Sequence, residues 1–308
     1  MIGCGGGYDI YVGLPFYFTL IDKGLDVHLA NFSFTSKENL SQFDNIGCDV
    51  YEVNSIPGMN QTAVFFPELH LSRHLLKPIY AIYYDGGVSR LKESYQVLIN
   101  TINPDCIILV DGGCDSLMFG YEESMATWVE DAMSIYVANQ LNIKCYLLVG
   151  GATSDFYEGI KESDLINNIS ILKSQVCNPA ELDSNRDLRS QGHLIWETML
   201  DEHEQPHTRK YIDIFMNSDP HFSIVNSCIV AAARGIRGKY CPSYLNSRIK
   251  NIMLTITDLT AKYWLFDLHG VAKNISYLAL LDGMDDSDEI ESSVSSWRAS
   301  LGINNNLF

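Results

Sequence analysis

The chain has 308 residues, of which 46% are hydrophobic and 19% charged, and 21 basic against 38 acidic residues give a formal net charge of −17. This balance is typical of a folded globular protein and excludes a disordered or fibrous chain. The acidic excess argues against a general binder of nucleic acids or anionic membranes, because neutralising many phosphates requires clustered Lys and Arg. A small anionic ligand that is bound locally stays compatible with this charge.

The cysteines and the start of the chain indicate a compartment. No apolar run is long enough to cross a bilayer, and the first residues lack the basic and apolar segments of a signal peptide. Eight cysteines are spread along the chain without a C-x-x-C pair, which excludes a zinc ribbon or a disulfide framework on spacing. We therefore expect reduced thiols, a cytoplasmic location and no membrane partner, and we leave open whether the chain forms an oligomer.

The first half of the chain alternates apolar runs, Gly-rich turns and helical stretches. After a Gly-rich loop at 3–7, the predicted elements are a helix over 9–24, strands over 27–34, 50–53 and 78–84, a helix over 89–102, a strand over 106–110, a helix over 124–141 and a strand over 145–149. Strands that alternate with helices imply crossover connections, so the predicted fold class is α/β, a Rossmann-like three-layer sandwich with a mainly parallel sheet. Because the loop begins two residues into the chain, either the first strand is very short or the natural chain begins upstream.

The second half has a weaker pattern. The predicted elements are helices over 160–175, 188–200 and 223–233 and strands over 253–257 and 263–267, and the acidic run 282–291 is interpreted as a solvated turn and helix start. No low-complexity linker separates the halves. We therefore expect one α/β domain over 1–308, in which 1–155 is the well-patterned Rossmann-like half and 156–308 its continuation.

Four Gly-Gly pairs each follow an apolar run or the short start of the chain. They are Gly5-Gly6, Gly86-Gly87, Gly112-Gly113 and Gly150-Gly151. Parallel strands of one sense end at the same edge of a sheet, which is where ligands of open α/β sheets bind. Glycine lets backbone N–H groups approach a ligand closely, and the following helix N-terminus favours anions. We therefore predict that Gly5, Gly6, Gly7, Gly112, Gly113, Gly150 and Gly151 contact a cofactor or ligand.

Two of these turns share the pattern Gly-Gly-x-Asp, which brings in Asp9 and Asp115. Each aspartate is interpreted either as a helix N-cap or as part of a site that binds a metal, a ribose hydroxyl or a reacting proton. Asp111 favours the site, because a carboxylate that closes an apolar strand normally needs a partner or a role. We predict Asp111, Asp115 and Glu123 as catalytic residues, Asp111 and Asp115 as metal ligands, and Glu123 on one helical face with Glu130.

The patterns for named cofactors are incomplete. Asn31 ends the second predicted strand, where a dinucleotide-binding fold carries an acidic residue for the ribose. The first loop misses G-x-G-x-x-G because position 8 is Tyr. The loop also resembles the first motif of S-adenosylmethionine methyltransferases, but no acidic residue closes strand two. We keep Asn31 and Asp9 as candidate ligand contacts, and the cofactor stays open between a divalent metal and a nucleotide.

Arg234 and Arg237 form the densest basic cluster of the chain. They are interpreted either as solvated surface or as an anion clamp, since the guanidinium group suits bidentate phosphate binding. The sequence contains no G-x-S-x-G elbow and no adjacent Cys–His pair, so a nucleophilic hydrolase is not supported.

Two motifs carry a resemblance to a known family. Residues 2–10 read Ile-Gly-Cys-Gly-Gly-Gly-Tyr-Asp-Ile, and residues 110–117 read Val-Asp-Gly-Gly-Cys-Asp-Ser-Leu before an acidic stretch at 122–132. Together they resemble the uncharacterised family catalogued as domain of unknown function 1152, over about residues 1–155. The resemblance implies an α/β fold and implies that the two Gly-Gly-x-Asp turns belong together. It implies no activity.

These observations predict an enzyme that acts on a small phosphorylated or nucleotide-like metabolite. Hydrolysis or group transfer is preferred to hydride transfer, because the dinucleotide fingerprint is incomplete. Two alternatives remain open: a non-catalytic nucleotide or metabolite sensor that uses the same crevice, and an acidic protein-interaction module. The expected partner is a small-molecule ligand and not a nucleic acid.

Overall fold

A large mixed sheet forms the centre of the computed structural model, which describes residues 1–55, 65–174, 193–217, 223–242 and 252–303. The strands in this part of the chain are β1 (Ile2–Gly3), β2 (Leu29–Ser33), β3 (Asp44–Gly47), β4 (Val50–Val53), β5 (Ile79–Tyr83), β6 (Cys106–Gly112), β7 (Lys144–Gly150), β8 (Leu194–Met199), β9 (Gly238–Tyr240), β10 (Leu254–Ile256) and β11 (Lys262–Asp267). Nine of them form one sheet in the order β3-β4-β5-β2-β1-β6-β7-β11-β8, and β9 pairs with β10 separately.

The five central strands of the sheet, from β5 to β7, pair in parallel. The outer strands are antiparallel: β4 pairs in this way with β3 and β5, and β11 with β7 and β8. The predicted α/β class with a mostly parallel central sheet is therefore confirmed. Numbered by their order along the chain, the five parallel strands lie in the order 3-2-1-4-5, so strand placement reverses direction between β1 and β6. Such a reversal opens a crevice outside the carboxyl ends of these strands.

Helices pack against both faces of the sheet. They are α1 (Asp9–Val12), α2 (Leu14–Asp22), α3 (Lys37–Leu40), α4 (Pro67–Leu75), α5 (Val88–Ile102), α6 (Val129–Asn139), α7 (Glu162–Ser174), α8 (Pro206–Asn217), α9 (Ile224–Ala233), α10 (Asp258–Ala261), α11 (Leu268–Asn274) and α12 (Ser287–Ser300). Short 3₁₀ helices span Asp115–Leu117, Ala152–Glu158 and Leu278–Leu281. Among the described helices, none combines the length and apolar character that a bilayer span requires.

Strand β6 explains how the sheet is buried on both sides. Its side chains alternate between faces, so Ile107 and Leu109 join one apolar cluster while Ile108 and Val110 join another. Residues of α5 and α6 belong to the first cluster, and residues of α1, α8 and α9 belong to the second. A strand covered on both faces reads as a continuous apolar run, which is why the sequence predicts a strand over 106–110.

Three predicted elements differ from the structure. The helix predicted over 188–200 is wrong where it is described, since Leu194–Met199 forms edge strand β8 paired with β11. The helix predicted over 9–24 is divided into α1 and α2, with Pro15 in the first turn of α2, where its missing N–H costs no hydrogen bond. The helix predicted from 124 begins only at Val129, because Ala126 has a left-handed backbone with φ of +51°. Residues 175 and 188–192 of the predicted helices lie outside the described residues.

Candidate functional site

Aspartates converge in a pocket of about 160 Å³ beyond the carboxyl ends of β1, β6 and β7. These five residues are Asp9 at the start of α1, Asp111 near the end of β6, Asp115 at the start of the following 3₁₀ helix, Asp131 in the first turn of α6, and Asp155 in the 3₁₀ helix after β7. The pocket therefore lies at the point where strand placement reverses between β1 and β6. The sheet brings together carboxylates from both halves of its parallel part.

The pocket carboxylates are buried without a compensating cation. Asp111, Asp115, Asp131 and Asp155 are between 2% and 8% exposed, and Asp9 is partly exposed. In the described part of the chain, no Lys, Arg or His side chain pairs with any of the five. Charged groups this deeply buried are normally paired or coordinate a metal.

Burial and mutual repulsion shift the pKa values of these carboxyl groups upward. Burial raises the pKa of Asp111 to about 7, and burial together with the charge of Asp111 raises the pKa of Asp155 to about 8. Burial also raises the pKa of Asp9, Asp115 and Asp131, and neighbouring carboxylates add to each shift. Without a cation the cluster therefore retains protons at neutral pH.

Glycines allow the carboxylates to approach the backbone. The Gly5 N–H donates to Asp9 Oδ2 at 2.7 Å. A Cβ atom at Gly5 would lie 2.7 Å from the same oxygen, and one at Gly112 would lie 2.7 Å from Asp9 Oδ1. Real Cβ contacts are essentially never this short. The position of Asp9 therefore requires glycine at both positions.

Two hydroxyl groups donate to the carboxylates of Asp111, in β6, and Asp115, in the following 3₁₀ helix. The Ser116 hydroxyl donates to Asp111, and the Thr127 hydroxyl donates to Asp115 Oδ2 at 3.2 Å. The N-cap positions of the helices that contain Asp9 and Asp115 are occupied by Tyr8 and Cys114, so neither aspartate is an N-cap. Both aspartates line the acidic pocket.

Asp131, in the first turn of α6, lines the pocket, and Cys4, in the loop after β1, contacts Asp131. The fully buried Cys4 thiol donates to Asp131 Oδ1 at 3.1 Å. Two groups of side chains have ligand atoms that all lie within 4.8 Å of one another: Cys4, Asp9 and Asp131 in one, and Asp111, Asp115 and Asp131 in the other. Carboxylate oxygens in such sets fit Mg²⁺, Mn²⁺ or Ca²⁺.

Two larger cavities adjoin the acidic pocket. One of about 640 Å³ shares Thr127, Tyr157 and Glu158 with it, and one of about 300 Å³ shares Asp9, Ile224 and Val225. The smaller cavity is also lined by Gly7, Tyr8, Phe34 and Phe65. The acidic pocket therefore lies between two spaces that are large enough for parts of a small molecule.

Several predicted residues take part in this arrangement. Asp9, Asp111, Asp115, Gly5 and Gly112 line the acidic pocket, and Gly7 lines the neighbouring cavity. Gly6 has φ of +93° and packs under the Phe34 ring, and Gly113 packs against the Asp155 carboxylate. Asn31 is fully buried and donates through Nδ2 to the Gly7 carbonyl at 2.9 Å and to Glu68 Oε1 at 2.7 Å. Asn31 thus anchors the Gly-rich loop through the Gly7 carbonyl.

Glu123, Arg234 and Arg237 do not line the acidic pocket. Glu123 lines the neighbouring cavity of about 640 Å³, where it is exposed and pairs with Lys161 at 2.7 Å. It does not share a helical face with Glu130, because α6 begins at Val129. Arg234 pairs with Glu202 and Arg237 with Asp258, and neither arginine lines the acidic pocket or its two neighbours.

The last predicted glycines act in packing. Gly150 lies against the Tyr263 ring, and Gly151 has φ of +76° and lies against Val225 and Ile229. Gly87 lies against the backbone at Met284 and Asp285. Their turns share the edge of the sheet with the pocket, as expected, without lining it.

The sequence patterns select neither Asp155 nor Cys4 as site residues, and they place Asp131 only among the nearby carboxylates of the acidic stretch 122–132. Asp155 lies four residues after Gly151, outside the Gly-Gly-x-Asp spacing, so only a wider search of the residues that follow this turn would select it. Asp131 reaches the pocket because α6 begins at Val129, and no local signal specifies that start.

Comparison with known proteins gives a family and nothing more specific. Residues 35–186 match the model of a family described as "Protein of unknown function (DUF1152)". The matched residues include four of the five pocket aspartates and leave out Cys4 and Asp9. No curated protein and no solved structure matches the chain.

Proposed function

For a chain that belongs to the DUF1152 family through residues 35–186, we propose a metal-assisted enzyme that acts on a small phosphorylated or nucleotide-like metabolite by hydrolysis or group transfer. One observation carries this proposal. Five carboxylates, four of them nearly fully buried, converge without a cationic partner in the described part of the chain, at the edge of the sheet where ligands of such folds bind.

The need for a cation follows from electrostatics. An unpaired buried carboxylate costs several kcal/mol, about the difference between a stable and an unstable domain. A divalent cation among Asp111, Asp115 and Asp131 would remove that cost and would stabilise the negative charge that develops in phosphoryl or acyl transfer. These three side chains are our proposed metal ligands.

The remaining pocket groups are suited to handling the substrate and its protons. Asp155 lies outside both ligand sets, lines the pocket, and is held by the Cys114 N–H at 2.5 Å and the Ser154 hydroxyl at 3.0 Å. Fixed in this way, it is our proposed acceptor for the proton of an attacking water or hydroxyl. The space over Gly7, where a Cβ atom would meet nothing within 4 Å, is open to the anionic part of a ligand.

We also propose a Rossmann-like three-layer sandwich that forms one domain, and a cytoplasmic location. The strand order 3-2-1-4-5 and the helices on both faces support a Rossmann-like three-layer sandwich that forms one domain. The seven cysteines among the described residues are all free, which supports a cytoplasmic location.

The test combines metal binding with turnover. The purified chain is stripped with a chelator, and thermal unfolding is followed with Mg²⁺, Mn²⁺, Ca²⁺ or Zn²⁺ and a panel of nucleotides and sugar phosphates. We expect metal-dependent stabilisation and product from at least one compound, both lost in Asp111→Asn. The matched control is Asp258→Asn, an exposed aspartate paired with Arg237 outside the pocket.

The outcomes separate the open alternatives. Stabilisation by a ligand without product would favour a sensor over an enzyme. Wild-type metal affinity and turnover in a folded Asp111→Asn variant would overturn the proposal.

A further inference from the structure

Asp131 belongs to both groups of potential ligands in the acidic pocket. Its two oxygens differ in their surroundings. Oδ1 accepts from the Cys4 thiol at 3.1 Å, whereas in the described part of the chain no donor reaches Oδ2. The residue is 3% exposed and lines the pocket. An oxygen that accepts from no donor, on a buried carboxylate that lines a pocket, leaves a position that a ligand can complete.

The unpartnered oxygen lies beside another carboxylate. A Cβ atom at Gly5 would contact Asp131 Oδ2 and would lie 2.7 Å from Asp9 Oδ2, so both oxygens lie just above Gly5. The Cys4 sulfur completes this group within 4.8 Å. Asp111 and Asp115 form the second group with Asp131, and this group consists of oxygen ligands alone.

We propose that the acidic pocket holds two divalent cations bridged by Asp131, a hard cation among Asp111, Asp115 and Asp131 and a thiophilic one among Cys4, Asp9 and Asp131. This inference rests on the proposed function and specifies its metal content. A carboxylate can supply one oxygen to each of two ions, and paired ions in enzymes that transfer phosphoryl groups lie about 3.5–4 Å apart.

The ligand chemistry makes the two positions different. Oxygen ligands alone suit Mg²⁺ or Mn²⁺, whereas a thiolate favours Zn²⁺ or its spectroscopic substitute Co²⁺. When Cys4 binds such an ion, its S–H bond breaks, the sulfur electron pair forms the bond to the metal, and the proton passes to the buffer. The Cys4 thiol thereby exchanges its hydrogen bonds to Asp131 and to the Val110 carbonyl for a metal bond.

The experiment uses the full chain, stripped of metal and then titrated with Co²⁺ and separately with Mn²⁺. Bound metal per chain is measured by elemental analysis after desalting, and the sulfur-to-cobalt charge-transfer band is followed in the near ultraviolet. We expect two Co²⁺ per chain and a charge-transfer band. Cys4→Ser should lose the band and still bind Mn²⁺ at the oxygen-only position. Asp115→Asn should keep the band and lose at least about tenfold in Mn²⁺ affinity.

Controls make the result decisive. Cys145→Ser removes another buried free cysteine, on β7 and outside both groups, and should leave the band intact. Folding of each variant is checked by circular dichroism, and Cys4→Ala replaces Cys4→Ser if the hydroxyl is not tolerated. A single bound ion, or a band that persists in Cys4→Ser, would overturn the two-ion site. If the two-ion site were overturned in this way while Mn²⁺ binding and turnover still depended on Asp115, the proposed function would remain supported with a single metal ion.

Discussion

Asp111 lies in the central strand β6, and Asp49 lies between the outer strands β3 and β4 of the same sheet. The two carboxylates differ in whether a basic side chain of the protein pairs with them. Asp49 lies between β3 and β4 at the outer edge, where its carboxylate accepts from Arg90 at 2.9 Å and from Lys37 at 3.3 Å. Hydrogen bonds from Arg90, and also from Lys37, hold the pKa of Asp49 below its usual value. Asp111 lies at the centre without such a partner, and burial raises its pKa to about 7.

This contrast distinguishes two uses of acidic residues in a chain of net charge −17. The Asp49 carboxylate is satisfied inside the molecule, so it contributes to the fold at the edge of the sheet. The five pocket carboxylates are not satisfied by cations of the described chain, so they reduce stability until something else neutralises them. A destabilising arrangement of this kind is typical of functional sites, where ligand binding depends on it.

The largest expected effect is a pH dependence that separates the two regions. The pocket carboxyls have folded pKa values above the unfolded value of about 3.9. Their contribution to stability is therefore complete below that value and is lost as pH rises through the folded values, about 7 for Asp111 and about 8 for Asp155. For the metal-free protein, we expect the free energy of unfolding to fall by about 2 kcal/mol or more between about pH 5 and 8.

Urea unfolding at several pH values measures this change, with Mn²⁺ as the matched condition. The ion should abolish the loss, because a bound cation replaces the protons. Asp49 has the opposite sign, since its lowered pKa adds stability that disappears only as pH falls below the unfolded value. A metal-free protein whose stability rises from pH 5 to 8 would contradict the assignment of the pocket as an uncompensated cluster.

The second expected effect is stabilisation by Asp131→Asn in the absence of metal. The substitution removes one buried negative charge, and with it the repulsion between Asp131 and the carboxylates of Asp111 and Asp9. We expect a gain of about 1–2 kcal/mol at about pH 8, with weaker binding of Mn²⁺. Chemical denaturation with and without the ion measures both. A loss of stability in the metal-free variant would mean that Asp131 supports the fold and not a ligand.

The same contrast explains what the sequence could and could not predict. β6 and the Asp111–Asp115 turn were predicted because an apolar run, a glycine pair and two carboxylates follow one another in the chain. Asp131 is not selected as a site residue, because its contribution depends on Ala126 adopting a left-handed backbone and delaying α6. Arg234 is predicted as an anion clamp, and in the structure it pairs with Glu202, which is distant in sequence. Local patterns specify strands and turns, whereas partners that are distant along the chain decide which charge is left free.

The smallest expected effect is destabilisation by Asp49→Asn. Asp49 has φ of +55°, a left-handed backbone that Asn adopts as readily, so the substitution removes the charge with little backbone strain. Because Arg90 is 39% exposed, solvent screens the pair, and we expect a loss of about 0.2–1 kcal/mol that shrinks at high salt. Chemical denaturation at low and high salt measures this loss, and Mn²⁺ binding should stay at the wild-type level. A change in metal affinity in Asp49→Asn would show that the two acidic regions are coupled.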